Sequence, residues 1–174
     1  MPANSGPTAT PSDREFVFTR VVNAPRQLVF DAHTNPRHVP HWMLGPGDWT
    51  MPVCEIDLRP GGKWHFVWRN ADGSEMEMRG EYREVSPPER LVNTESWGGE
   101  WPETLNELTL TEKDGKTTVT TRVLYPSKEA RDAALKTGMA DGMSLSYDRL
   151  DEYLKKPAYR GISSSSPAGK GAGC

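Results

Sequence analysis

The chain has 174 residues, with 21 Lys and Arg set against 24 Asp and Glu, a formal net charge of −3. This length suits one domain with tails and is short for a two-domain enzyme. The acidic balance lacks the basic footprint that phosphate contacts require, which excludes a nucleic-acid binder.

Hydrophobic residues contribute 35%, and 16 Gly with 15 Pro point to loose ends around a compact middle. Residues 1–13 and 157–174 read as disordered tails, leaving 14–156 as the domain. The first stretch has neither the basic n-region nor the apolar h-region of a signal peptide. The last carries four consecutive serines at 163–166 among Gly and Pro. That offers too little apolar surface to offset the entropy of ordering. No run of about 18 apolar residues is present to span a membrane. Cys54 and Cys174 lie far apart, so no disulfide framework is expected and a cytoplasmic setting is.

In chain order, residues 15–22 combine Phe16, Val17, Phe18, Val21 and Val22 with polar breaks and predict a strand. Pro25 suits the first position of a helix whose Leu28, Val29 and Ala32 share a face, and Asn35-Pro36 ends it. A second short helix is predicted over 37–44, stopping at Gly45-Pro46-Gly47. From residue 50 to 125 the period changes to two. Trp64, Phe66 and Trp68 alternate with His65, Val67 and Arg69. Met76, Met78, Gly80 and Tyr82 alternate with charged residues, and Val119, Thr121, Val123 and Tyr125 repeat the pattern. Alternation of this kind gives antiparallel strands with one face inward. Turn signals at Pro60-Gly61-Gly62, Asp72-Gly73, Pro87-Pro88 and Asp114-Gly115 divide the region into six strands, seven with the first.

Ser127 is placed to cap a long final helix predicted to run to about residue 156. Leu135, Met139, Met143, Tyr147, Leu150 and Leu154 form its buried stripe. Gly138 and Gly142 fall inside it, each about 1 kcal/mol less favourable than alanine, which points to close approach of a strand or a ligand. The class is therefore α+β: a curved seven-stranded antiparallel sheet with two short helices and one long C-terminal helix. These helices do not fill the concave side of so large a sheet. A hydrophobic cavity lined by aromatic and Met residues is the expected consequence, and such cavities take apolar small molecules.

Several stretches resemble one known family. They are N-A-P-R-Q-L-V-F-D-A (23–32), His41-Trp42, E-I-D-L-R-P-G-G-K-W (55–64), G-E-Y-R-E-V-S-P-P-E-R-L-V (80–92) and T-G-M-A-D-G-M-S-L-S-Y-D-R-L (137–150). In this order they resemble the SRPBCC/START-like superfamily, and within it bacterial homologues of the activator of heat-shock-protein-90 ATPase. The resemblance implies a helix-grip (START/Bet-v-like) fold around a hydrophobic pocket. It implies no single function, because the superfamily includes lipid carriers, polyketide aromatases and cyclases, co-chaperone domains and resistance proteins.

The residues expected to line the pocket are Trp42, Trp64, Phe66, Trp68, Met76, Met78, Tyr82, Trp97, Met139, Met143 and Tyr147. Trp64, Phe66 and Trp68 share one strand face, and the four methionines supply a soft, adaptable lining. Trp97 and Trp101 bracket a Gly-rich loop that serves as a lid, a partner patch or simple packing. Tyr82, Asn93, Glu95 and Tyr147 are the polar groups available to orient a ligand, with their facing set by strand parity. Asp57-Leu58-Arg59-Pro60-Gly61-Gly62 reads as a hairpin turn with Asp57 and Arg59 paired. His33, His38 and His41 cluster, but no carboxylate or Cys at helical spacing completes a tetrahedron, so no metal is expected. Cys54 falls on an inward parity, and Ser144 and Ser146 have no adjacent His. No nucleophile elbow or phosphate loop is present, so neither catalytic residues nor a cofactor are assigned. The leading expectation is binding of a hydrophobic or aromatic small molecule, lipid or polyketide-like, without catalysis. The alternatives are a natural-product cyclase, aromatase or sequestering resistance protein, and a chaperone-contacting module. A homodimer is compatible with each.

Overall fold

Strict alternation of apolar and polar residues carries over into an open antiparallel sheet, in which successive side chains point to opposite faces. The computed structural model describes residues 8–156. Its strands are β1 (Thr8–Ala9), β2 (Glu15–Val22), β3 (Thr50–Ile56), β4 (Lys63–Arg69), β5 (Glu75–Ser86), β6 (Arg90–Glu95), β7 (Thr104–Lys113) and β8 (Lys116–Leu124). They lie in the order β1-β2-β8-β7-β6-β5-β4-β3. β2 and β3 are consecutive in sequence yet sit near opposite edges. The chain between them crosses the sheet as α1 (Arg26–Thr34) and a single 3-10 turn at Val39–His41.

Three expectations need correction. The sheet has eight strands rather than seven, because Thr8 and Ala9 pair with Phe18 and Val17 inside the stretch read as a tail. The predicted helix over 37–44 contracts to the 3-10 turn, since Pro40 lacks the N–H donor that an α-helix there requires. The long C-terminal helix is two helices, α2 (Lys128–Leu135) and α3 (Met139–Leu154). Gly138 divides them with φ of 83°, in the left-handed region that glycine enters without strain. Ser127 does cap α2, its Oγ accepting from the Ala130 N–H at 3.0 Å. The expected tail at 157–174, with Cys174, lies outside the described residues.

Register determines what faces α3. Trp64, Phe66 and Trp68 oppose Gly80, Met78 and Met76. Tyr82 opposes Asn93, and Asn93 opposes Asn106. Asn106 opposes Val123, which opposes Phe16. These residues share the concave inner face with Cys54, Ile56, Leu91, Leu108 and Leu110, all of them buried. The Asp57–Gly62 turn forms as expected. Arg59 Nε reaches both carboxylate oxygens of Asp57 at 3.1 and 3.0 Å. The turn docks on β5 through paired backbone hydrogen bonds between Tyr82 and the two glycines.

Gly80 is the tightest point of the inner face. A Cβ there would lie 1.9 Å from the Thr94 carbonyl oxygen and 2.8 Å from Trp64 Cε2. The indole of Trp64 therefore lies directly over a missing side chain. Gly142, within α3, would place its Cβ 3.6 Å from Pro46, an ordinary contact. The two glycines should respond with opposite sign. Gly80→Ala is expected to destabilise by about 2–3 kcal/mol through overpacking. Gly142→Ala should be neutral or stabilising by up to about 1 kcal/mol through helix propensity. Urea denaturation of both variants checks this, and equal losses would refute the close approach at Gly80.

Candidate functional site

The inner face of β4 carries a line of large aromatics because alternate positions of the strand are Trp64, Phe66 and Trp68, all buried. Trp64 and Phe66 rings are 4.9 Å apart, and Phe66 meets Trp68 edge-on at 5.9 Å. Trp97, from the loop after β6, extends the line by stacking on Trp68 at 5.6 Å and 13° while staying 41% exposed. Met78 lies buried beside Phe66, whereas Met76 sits at the open end of β5 and is exposed. Trp68 donates Nε1–H to the Met43 carbonyl oxygen at 2.8 Å. Trp64 Nε1 is fully buried and finds no hydrogen-bond partner among the described residues.

Beside this line lies a polar strip. Glu95 pairs with Thr104 across β6 and β7, one column from Gly80 and the Trp64 indole. Its carboxyl accepts from Asn106 and, at 3.4 Å, from Trp97 Nε1. Thr104 Oγ1 donates to Asn106 Oδ1 at 3.0 Å. The carboxyl keeps some access to water, yet the protein around it desolvates the charge and raises its pKa above the usual carboxylate range. Tyr125, just past β8, faces the same carboxyl. Burial, and to a lesser degree Glu95, pushes its phenol up to about 12. Its hydroxyl lies 3.4 Å from Met139 Sδ, which ties the strip to the first turn of α3. Tyr82 is buried next to Asn93, and loss of solvent drives its pKa well above the ordinary tyrosine value. Met143 packs half-buried along α3.

Trp42 and Tyr147 form a different group, under α1. Trp42 donates Nε1–H to the Ala32 carbonyl oxygen at 2.9 Å and meets Tyr147 at 5.2 Å. Tyr147 stacks on Phe18 at 5.7 Å and bonds His33 Nε2 at 2.8 Å. His33 Nδ1 donates to the Val29 carbonyl oxygen, so Nε2 is the acceptor and the imidazole is neutral. Burial pushes its pKa down to about 4. Of the histidines expected to cluster, His38 and His41 meet at Tyr153, whereas His33 is held apart against Tyr147. His38 lies between Asp31 and Tyr153, and His41 stacks on Tyr153 at 4.9 Å. Among the described residues no three His, Cys, Asp or Glu side chains converge as a metal site requires.

The profile of the family described as "Activator of Hsp90 ATPase homolog 1-like protein" matches residues 23–155. The chain belongs to this family. A crystal structure from Rhodobacter sphaeroides shares 30% identity over 86% of this chain and 97% of its own, with a TM-score of 0.82. Structures from Nitrosomonas europaea and Mycobacterium smegmatis share the fold at 23% and 24% identity. The first covers 84% of this chain and 97% of its own, with a TM-score of 0.75. The second covers 85% and 97%, with a TM-score of 0.74. No functionally curated protein matches. The helix-grip architecture of this family is the one described above, with the sheet closing on a C-terminal helix.

In this member of the Hsp90-ATPase-activator-like family, the structure brings together Trp64, Phe66, Trp68, Met78, Tyr82 and Trp97, with Met139 meeting the strip from α3. It sets Trp42 and Tyr147 apart. Two surface hollows, of about 310 and 290 Å³, are more polar than apolar, and the second borders the polar strip at Thr104 and Tyr125. The first is lined by Arg20, Asp148, Asp151 and neighbours. The second lies at the sheet end near Arg14, Thr104 and Tyr125. Sequence reasoning missed Asn106 and Tyr125 as site residues. Their link to Glu95 depends on the register of β6, β7 and β8, which no local pattern reveals. No helix among the described residues is long and apolar enough to cross a membrane.

The neutral imidazole of His33 links stability to pH. The unfolded chain titrates this group near 6.5 and the folded one near 4, so the unfolded state binds more protons in between. Its contribution is complete above about pH 6.5 and is lost as pH falls toward 4, a change of at most about 3 kcal/mol. Urea midpoints measured from pH 7 to 4 should therefore fall, and His33→Gln should flatten that slope. An unchanged slope in the variant would refute the assignment.

Proposed function

We propose that the protein binds a hydrophobic or aromatic small molecule, lipid or polyketide-like, between the inner face of the sheet and α3. The observation that carries this reading is Trp64 Nε1, a buried donor without a partner inside an aromatic wall. Leaving such a group unsatisfied costs about 1–3 kcal/mol, which an acceptor on a bound molecule relieves. Phe66, Trp68, Met78 and Tyr82 supply the apolar wall. Trp97, Met76, Met139 and Met143 supply an adaptable rim. Trp42 and Tyr147 support the floor from behind. Membership in a family whose wider superfamily often binds hydrophobic ligands supports the reading. The unit that carries the function is the domain at 14–156.

Tryptophan fluorescence during titration with a panel of fatty acids and aromatic polyketides tests it. Quenching that saturates in the micromolar range is expected for at least one class. Trp64→Phe keeps the aromatic wall and removes the orphan donor. The variant should fold at least as stably as the parent and bind oxygen-bearing ligands about 5–10-fold more weakly. A panel with no response would end the proposal.

A further inference from the structure

The aromatic line and the polar strip meet at one carboxylate that has no counter-ion. Glu95 forms no ion pair among the described residues, and its hydrogen bonds come from two neutral donors, Asn106 and Trp97. Trp97 and Tyr125 lie beside it and Trp68 stacks on Trp97, all rings whose faces carry the negative side of their quadrupoles. Tyr125 is the other titratable group facing the carboxyl and remains neutral at ordinary pH. One column away, the buried Trp64 indole lies over Gly80 and holds its unused N–H at the same level of the sheet.

We infer that the ligand is an apolar ring system bearing a protonated amine that pairs with Glu95 and an oxygen acceptor that takes the Trp64 N–H. This deepens the proposed function and rests on it. A carboxylate that the protein desolvates is relieved in two ways, by taking a proton or by meeting a cation. A cationic nitrogen at Glu95 supplies the second, and aromatic rings in the same wall add cation–π attraction, which strengthens where water is excluded. A neutral ligand of the same shape gains only the apolar contact and the Trp64 bond. The carboxylate itself is the element that selects between them. The other charged groups near Thr104 and Tyr125 are Arg14, Arg83 and Glu103, which line the adjoining hollow.

Matched probes test the inference: methoxynaphthyl-ethylamines and the methoxynaphthyl-ethanols of identical skeleton. Binding is followed by calorimetry at pH 7 and by the indole N–H resonances of Trp64 and Trp97, assigned with Trp64→Phe and Trp97→Phe. The amines should bind at least tenfold more tightly than the alcohols, with both resonances shifting at saturation. Glu95→Gln keeps the size of the side chain and its contact with Asn106. It should bring the amines down to the affinity of the alcohols while leaving the alcohols unchanged. Equal affinity of amine and alcohol in the parent protein, or a preference that survives Glu95→Gln, overturns the counter-ion role and leaves apolar binding standing. Failure of both series to bind or to shift either resonance overturns the amine inference. When the lipid and polyketide panel is also silent, the binding function falls with it.

Discussion

Arg20 stands on the inner face of β2, almost wholly buried, and its guanidinium reaches three acceptors along one face of α3. Asp148 lies at 2.8 Å, Asp151 at 3.0 Å and the Ser144 carbonyl oxygen at 3.3 Å. Acceptors at positions 144, 148 and 151 follow the i, i+4, i+7 repeat of one helical stripe, so a single planar donor fork fixes rotation of the helix as well as its position. Losing the arginine would leave two neighbouring carboxylates without their shared cation. Because both keep contact with water, the cost falls toward the lower end of about 3–5 kcal/mol. The consequence is geometric: α3 is anchored over β2, and its first turn, with Met139, is what reaches toward the strip at Glu95 and Tyr125.

The two ends of the inner face differ less in how apolar they are than in how completely their polar atoms are used. Near Arg20, Thr117 donates to the Ala24 carbonyl oxygen at 2.7 Å, Trp42 to Ala32, and His33 and Tyr147 bond each other. Such satisfied networks rigidify a core. At the β4–β6 end, Trp64 keeps an unused N–H and Glu95 a desolvated carboxyl. Buried polar groups in native proteins are nearly always paired, so their exceptions locate function better than the density of tryptophan does. Trp42 shows the point. It is as aromatic and as buried as Trp64, but its donor is occupied and its role is structural.

The strand parity of Trp64, Phe66, Trp68, Met78 and Tyr82 was legible in the sequence because a period of two is a local property. The turns at Gly61, Gly73 and Gly115 were legible for the same reason, each glycine taking the positive φ its turn requires. The division of the C-terminal helix was not. Gly138 and Gly142 share a helical spacing, and nothing local distinguishes a residue that ends one helix and starts the next from one inside it. In the structure the first is left-handed and the second is an ordinary helical residue. Glu95 and Asn93 were candidates for the inner face, but a shift of one residue would have turned them outward. Asn106 and Tyr125 join them only once three hairpins are in register. Thr8 and Ala9 form a strand because the edge of β2 offers them backbone partners, a tertiary effect that composition cannot show.

The outer face of the sheet uses its charges differently from the inner one. Glu15, Arg122, Glu107, Arg90 and Glu84 form one ladder of alternating sign across β2, β8, β7, β6 and β5, with contacts such as Arg122–Glu15 at 2.7 Å and Arg90–Glu84 at 3.1 Å. A second group joins Glu55, His65, Glu77 and Arg79 on β3, β4 and β5. Each exposed pair contributes little stability by itself. Their collective effect is to neutralise charge where it arises. A partner of either polarity would have to break pairs to gain contacts there. The inner face carries the opposite arrangement, with one donor and one carboxylate left over against a line of aromatic rings.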